Sequence, residues 1–149
     1  MTDGLDVIIV DYKPIACDLL TSAVKSFYTW GNVLSFTDAG EAVAFCRKKE
    51  PGVVIFILDV FIGGETAFSF LNAIADKFPV ACEDTIIVTG SASDDVVNMC
   101  VASKIAYLIE KPVRTYSLRF AVMSIVSKYI RFAKKLLEDP EVSPKVTGF

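Results

Sequence analysis

Five short apolar runs, each followed by a segment of helical periodicity, constrain this chain more than any other feature of its sequence. The first, Asp6-Val7-Ile8-Ile9-Val10-Asp11, is β-branched throughout its middle with no alternation of apolar and polar residues, as in a strand buried on both faces. It ends on a carboxylate. From Pro14 onward Ile15, Leu19, Leu20, Ala23, Val24 and Phe27 recur at helical spacing, and Pro14 suits a first helical turn. Asn32 to Phe36 reads as a second strand, and Asp38-Ala39-Gly40-Glu41 as a capping box opening a helix that Pro51-Gly52 ends. Val53 to Leu58 makes a third strand, again stopping at an acid, Asp59. After the turn Ile62-Gly63-Gly64, a stripe of Ala67, Leu71, Ile74, Ala75 and Phe78 predicts a helix that Pro79 stops. Thr85 to Thr89 is the fourth strand. Ser91-Ala92-Ser93-Asp94 then starts a helix carrying Val96, Val97, Cys100 and Val101, and Tyr107 to Glu110 is the fifth strand, closed by Lys111-Pro112. The last helix runs from about Thr115 to Leu137.

Strands alternating with helices in this way predict an α/β fold, a doubly wound five-stranded parallel sheet with an extended C-terminal helix, because right-handed crossovers place helices on both faces. The expected organisation is a single domain over residues 1–137 and a flexible tail over 138–149, where Pro140, Pro144 and Gly148 break regular structure. A hydrophobic share of 53% with 22% charged residues supplies ample surface for a core and argues against disorder. The longest apolar stretch, Val53 to Ile62, is interrupted by Asp59 and falls well short of the roughly 18 residues that span a bilayer. No signal-peptide pattern is evident, since two acids occupy the first six residues; a cytoplasmic protein without membrane contact is expected.

Composition also removes chemistry. The chain has no histidine, so it holds no imidazole base, histidine metal ligand or phosphohistidine of its own. Its four cysteines show no Cys-x-x-Cys spacing and lie in apolar segments, which predicts buried, reduced thiols. A net charge of −3 without a dense basic run argues against nucleic acid as a partner.

In a doubly wound sheet, ligands sit beyond the carboxyl ends of the strands. Three of those ends carry Asp11, Asp59 and Thr89, and Lys111 follows the fifth strand. Two carboxylates, a hydroxyl and an ammonium form a phosphoryl-transfer set, because an Asp can attack phosphorus while Lys, Thr and a divalent ion hold phosphoryl oxygens. Any one of these residues alone has a plain structural explanation: Asp11 as a loop acid, Thr89 as a β-branched strand residue, Lys111 as a solvated turn lysine.

Together they carry a resemblance. Val10-Asp11-Tyr12-Lys13-Pro14, Leu58-Asp59-Val60-Phe61, Val88-Thr89-Gly90 and Glu110-Lys111-Pro112 resemble, in order and spacing, the marks of the receiver domain of two-component response regulators, over roughly Asp6 to Lys128. The resemblance implies a flavodoxin-like, receiver-type (βα)5 fold. It implies Asp59 as phosphoacceptor, Thr89 as switch hydroxyl and Lys111 as the cation that pairs with the phosphate. Mg2+ would be held by Asp11, Asp59 and the backbone carbonyl of Phe61. The implied function is that of a stand-alone receiver, not an enzyme beyond assisting phosphoryl transfer to Asp59 and hydrolysis of the acyl phosphate. Its partners would be a histidine kinase or phosphotransfer protein and a downstream protein target. An aspartyl phosphohydrolase is disfavoured because Phe61 stands where a second Asp is needed, and a flavin protein because no phosphate-binding loop follows the first strand.

The departures point to an alternative. Tyr12 replaces an acid that in the family usually contacts the metal, which implies weak magnesium binding. Gly63 stands for a common proline, Ala67 for a glycine, and Lys104-Ile105 for a Gly-Ala pair. Leu108 occupies the switch position usually held by Tyr or Phe, with Tyr107 one place out of register. These changes suit a degenerate receiver that acts as a phosphorylation-independent interaction module. In the last helix, Leu118, Val122, Ile125, Tyr129, Phe132 and Leu136 step by three and four. The half beyond Tyr129 either projects as a contact for a homodimer or another partner, or folds back over its own domain; the sequence leaves both open.

Overall fold

The computed structural model describes residues 4–138, so that the expected tail falls, except for Glu138, outside the described residues. Five parallel strands, β1 (Asp6–Val10), β2 (Val33–Phe36), β3 (Val54–Asp59), β6 (Thr85–Thr89) and β7 (Tyr107–Glu110), form one sheet in the order β2-β1-β3-β6-β7. The helices are α1 (Pro14–Lys25), α2 (Ala39–Lys48), α3 (Ala67–Ala73), α4 (Asp94–Ala102) and α5 (Thr115–Glu138). The order of the strands reverses between β1 and β3, which puts a crevice above their carboxyl ends.

The apolar runs fill two cores. Ile8, Val10, Phe56, Leu58 and Ile87 face one way, against Ala42, Cys46, Phe70, Leu71 and Cys100 of α2, α3 and α4. Val7, Ile9, Ile57 and Val88 face the other, against Cys17, Leu20 and Val24 of α1 and Leu118, Val122 and Ile125 of α5. Because side chains alternate across a strand, a β-branched run without polar interruptions has no other place to be satisfied than between two helical layers. Register between β1 and β3 pairs Val10 with Leu58, which brings the residues that follow, Asp11 and Asp59, to the same edge.

Local signals set the helix starts. Pro14 begins α1, the Asp38 carboxylate accepts the Glu41 N–H at 3.0 Å to cap α2, and Ser93 accepts the Val96 N–H to cap α4. The helix expected through Phe78 is shorter: α3 ends at Ala73, and Ile74, Ala75 and Lys77 make hydrogen bonds to the third residue back. Pro79 disfavours helical geometry at Phe78, and the chain tightens before it. Ile74 and Phe78 stay buried as the apolar stripe predicts, but Ala75, expected on the same stripe, is exposed because the chain leaves helical geometry there. A single 3-10 turn (Ala81–Asp84) then leads into β6.

The turn at Gly63-Gly64 closes a small hairpin, β4 (Phe61–Ile62) with β5 (Glu65–Thr66). Gly63, at φ +66, provides the left-handed first position that such a two-residue turn needs. Cys17, Cys46 and Cys100 are buried and all four cysteines are free; Cys82 is only half-buried, a partial departure from the expectation.

At the opposite edge of the sheet from the crevice, the buried Asp84 carboxylate accepts from Lys128 Nζ at 2.6 Å and from the Tyr129 hydroxyl, fastening α5 to the start of β6. Burial and the Asp84 charge hold the Tyr129 phenol well above the ordinary tyrosine range. Beyond this latch α5 leaves the domain. Every residue from Ile130 to Glu138 is exposed, including Phe132 at 59%, so the second half of the helix projects and does not fold back.

Lys104, at φ +59, follows α4 in the left-handed conformation that usually falls to glycine, and the Ile105 N–H closes the helix end on the Cys100 carbonyl at 3.0 Å. Lys104→Gly relieves this strain, offset in part by the greater freedom of glycine in the unfolded chain. The variant is expected to be about 0.5–1 kcal/mol more stable in urea denaturation.

Candidate functional site

Each element of the crevice is placed by a strand that could carry a charge only at its end. Asp11 follows β1, Asp59 ends β3, Thr89 ends β6 and Lys111 follows β7. Lys111 is drawn inward by its backbone as well, its N–H donating to the Thr89 carbonyl at 2.7 Å. Its ammonium then lies 3.1 Å from Asp11 Oδ2 and 3.1 Å from Asp59 Oδ2. One cation thus bridges two carboxylates that come from adjacent strands.

The three groups are not equally reachable. Asp11 is completely buried, with its other oxygen accepting the Lys13 N–H at 3.0 Å. Asp59 is mostly buried but lines the open cleft, together with Tyr12, Lys13, Phe61, Thr89, Ser91 and Lys111. The arrangement therefore offers Asp59, and not Asp11, as the carboxylate a solution reagent can meet. Burial alone lowers the Lys111 pKa, but the hydrogen bonds and charges of Asp59 and Asp11 outweigh it and raise the ammonium above its ordinary value.

Thr89 is engaged by its own loop. Its hydroxyl donates to the Ser91 carbonyl at 3.1 Å and accepts the Ser91 N–H at 3.2 Å, a local turn that holds the β6 to α4 loop. Glu110 steadies the same loop by accepting the Ala92 N–H at 3.2 Å. To reach a group on Asp59, Thr89 must give up its partners on Ser91.

The sequence singled out Asp11, Asp59, Thr89, Lys111 and Phe61, and the structure brings all five to one end of the sheet. It did not single out Lys13 and Ser91 as cleft residues; their positions immediately after Tyr12 and two residues after Thr89 were the available signals. Tyr12 is 60% exposed, and its ring lies against Gly63, where an added Cβ would stand 3.3 Å from Cδ2. The phenol thus forms one wall of the cleft in the place of an acid.

The oxygens of Asp11 and Asp59 and the Phe61 carbonyl are hard donors of the kind magnesium takes. Among the described residues no group of three His, Cys, Asp or Glu side chains converges anywhere. Two carboxylates fit a magnesium ion that keeps several waters, not one caged by protein, and each of the two already shares an oxygen with Lys111.

The two departures on β7 also resolve. Leu108 packs with the core under α2, α3 and α4, whereas Tyr107 lies on the opposite face, edge-on to Phe120 of α5 with ring centroids 6.2 Å apart. A shift of one residue reverses the face of a strand, so Tyr107 does not substitute for the missing aromatic at Leu108.

No protein-family model and no curated protein sequence matches the chain. Solved structures do match. The signal receiver domain of a LuxO repressor protein from Vibrio parahaemolyticus superposes with a TM-score of 0.72 at 18% identity, over 91% of this chain and 98% of that one. A response regulator receiver domain from Clostridium thermocellum gives 0.74 at 15% identity, covering 86% and 98%. The receiver domain of the sensor histidine kinase PA1611 from Pseudomonas aeruginosa PAO1, solved with magnesium coordinated in its active site cleft, gives 0.69 at 14% identity, covering 83% and 98%. The chain folds as a response regulator receiver domain. Among the described residues, no helix is long and apolar enough to cross a membrane.

Because the folded state holds the Lys111 proton more tightly than the unfolded chain, its contribution to stability is complete below pH 10.5 and is lost as pH rises through the raised folded value. Lys111→Met leaves the buried Asp11 carboxylate without its cation. The loss expected at pH 8 is about 3 kcal/mol in urea denaturation, with the difference from wild type shrinking above pH 10.5.

Proposed function

We propose that this chain is a phosphoryl-accepting receiver, taking a phosphoryl group on Asp59 from the phosphohistidine of a separate histidine kinase or phosphotransfer protein. The observation that carries the reading is the Lys111 ammonium at 3.1 Å from both Asp11 and Asp59, beside a cleft lined by Asp59 and not by Asp11. In the proposed step an Asp59 oxygen attacks phosphorus, an O–P bond forms as the P–N bond breaks, and the leaving imidazole belongs to the partner, since this chain has no histidine. Lys111 moves from the Asp59 carboxylate to a phosphoryl oxygen while remaining paired with Asp11. Thr89 turns from Ser91 to donate its hydroxyl to the same group, which frees the β6 to α4 loop to shift.

Asp11, Asp59 and Lys111 together carry one net negative charge before any phosphoryl arrives, so this chain's own residues do not neutralise the product. Asp11, Asp59 and the Phe61 carbonyl would hold a magnesium ion, which would supply that neutralisation. With Tyr12 in place of a third acid, binding is weak. The protein acts by contact with a downstream protein, and its own catalysis is limited to assisting transfer and acyl-phosphate hydrolysis.

A second reading, a phosphorylation-independent interaction module, is favoured by Leu108 and Tyr12, which remove the aromatic switch and one metal ligand. Intact-mass spectrometry after acetyl phosphate and magnesium separates the two. The receiver reading expects a single phosphoryl adduct, absent without magnesium and in Asp59→Asn, and formed at ~10-fold lower magnesium in Tyr12→Asp. An unlabelled wild type alongside a labelled Tyr12→Asp gives the site to the second reading.

A further inference from the structure

Among the residues that line the cleft, Lys13 is the charged side chain to which the phosphoryl reading gives no task. The cleft, about 540 Å3 in volume, is lined by three charged residues, Asp59, Lys111 and Lys13. Lys111 is committed, its ammonium already 3.1 Å from both Asp11 and Asp59. Lys13 is exposed and makes no ion pair among the described residues. Its backbone is nonetheless fixed on both sides. The N–H donates to Asp11 Oδ1 at 3.0 Å and the carbonyl accepts the Cys17 N–H at 2.9 Å. The buried Asp11 thus positions both lysines, one through its side chain and the other through its main chain.

Lysine is a poor choice for this position if only stability counts. Lys13 immediately precedes Pro14, the first residue of α1, and its side chain caps no N–H of that helix. Serine, threonine, aspartate or asparagine would cap it, and a cation at the start of a helix opposes the helix dipole. A residue that breaks a local rule at the mouth of a reactive cleft points to a function there. The function is electrostatic. Converting the Asp59 carboxylate into an acyl phosphate replaces one negative charge by about 1.5 to 2 near neutral pH, while Lys111 remains shared with Asp11. Lys13 brings an uncommitted ammonium to the same cleft, and its neighbour Tyr12 adds no carboxylate to compete for it.

We propose that Lys13 is a second phosphoryl-binding cation of this cleft, its ammonium pairing with oxygens of the incoming phosphoryl group and of the acyl phosphate formed on Asp59. The inference deepens the phosphoryl-accepting reading and rests on it.

The test compares the wild type with Lys13→Met, Lys13→Arg and Lys13→Ser, each as the full chain, at a fixed magnesium concentration. Labelling of Asp59 by acetyl phosphate is followed by intact mass. An unreactive phosphoryl mimic, methylphosphonate, is titrated against the amide NMR signals of Gly63 and Gly90, which line the cleft. Lys13→Met is expected to label about tenfold more slowly and to hold methylphosphonate about tenfold more weakly, with Lys13→Arg close to wild type. Lys13→Ser is expected to lose both to the same extent while its melting temperature rises, because serine supplies the missing cap. A merely structural lysine would not set binding against stability in this way. Acetyl phosphate brings no partner protein, so a lysine that only touched a kinase would leave both readouts unchanged. Unchanged methylphosphonate affinity in Lys13→Met overturns the proposal whatever the labelling rate, and if Asp59 is still labelled the receiver reading stands. An arginine variant no better than methionine overturns it as well. A wild type that acetyl phosphate fails to label, but that holds methylphosphonate through Lys13, supports the cation and removes the receiver reading.

Discussion

The central strands are covered by helices on both faces, and this one constraint places nearly everything else. A charge cannot be held in the middle of β1, β3 or β6, where the neighbours are aliphatic and aromatic side chains and uncharged thiols, without a large desolvation cost. Polar side chains that these strands contribute to chemistry must therefore emerge at an end. Parallel register aligns those ends, and the reversal of strand order between β1 and β3 leaves space above them. Asp11, Asp59 and Thr89 share one end of the sheet because its interior is apolar.

Once assembled, the crevice is governed by the shortage of positive charge. Lys111 serves two carboxylates, one of them wholly buried. Asp11 is the buried member of this triad, and of the two carboxylates only Asp59 lines the cleft. Tyr12 shapes that cleft by stacking on Gly63 but adds no charge. The same geometry that opens the cleft on Asp59 leaves one lysine against two carboxylates there.

The opposite end of the domain is built on different terms. The Asp84 carboxylate satisfies Lys128 and Tyr129 and fixes α5 where it leaves the sheet. From that point α5 is a helix with no core to cover, and its stability derives from continuity with the anchored half. Ile130, Phe132, Leu136 and Leu137 are all exposed along it.

Much of this was legible in the residues. The β-branched runs and their terminal acids specified a doubly covered parallel sheet and named Asp11, Asp59, Thr89 and Lys111, since a buried strand has few alternatives in composition and none in where it puts charge. The end of α3 was not legible, because Ile74 and Phe78 point into the core from a helix or a turn alike, and periodicity reports burial and not hydrogen bonding. Nor could the sequence choose whether α5 folds back or projects, for the same apolar spacing suits both. That choice and the sharing of Lys111 between two carboxylates were decided by tertiary structure, because each depends on distances between groups far apart in the chain, whereas the turn of Thr89 onto Ser91 is local. Sequence determined which side chains would be driven to the strand ends; packing of the whole sheet determined which of them would touch.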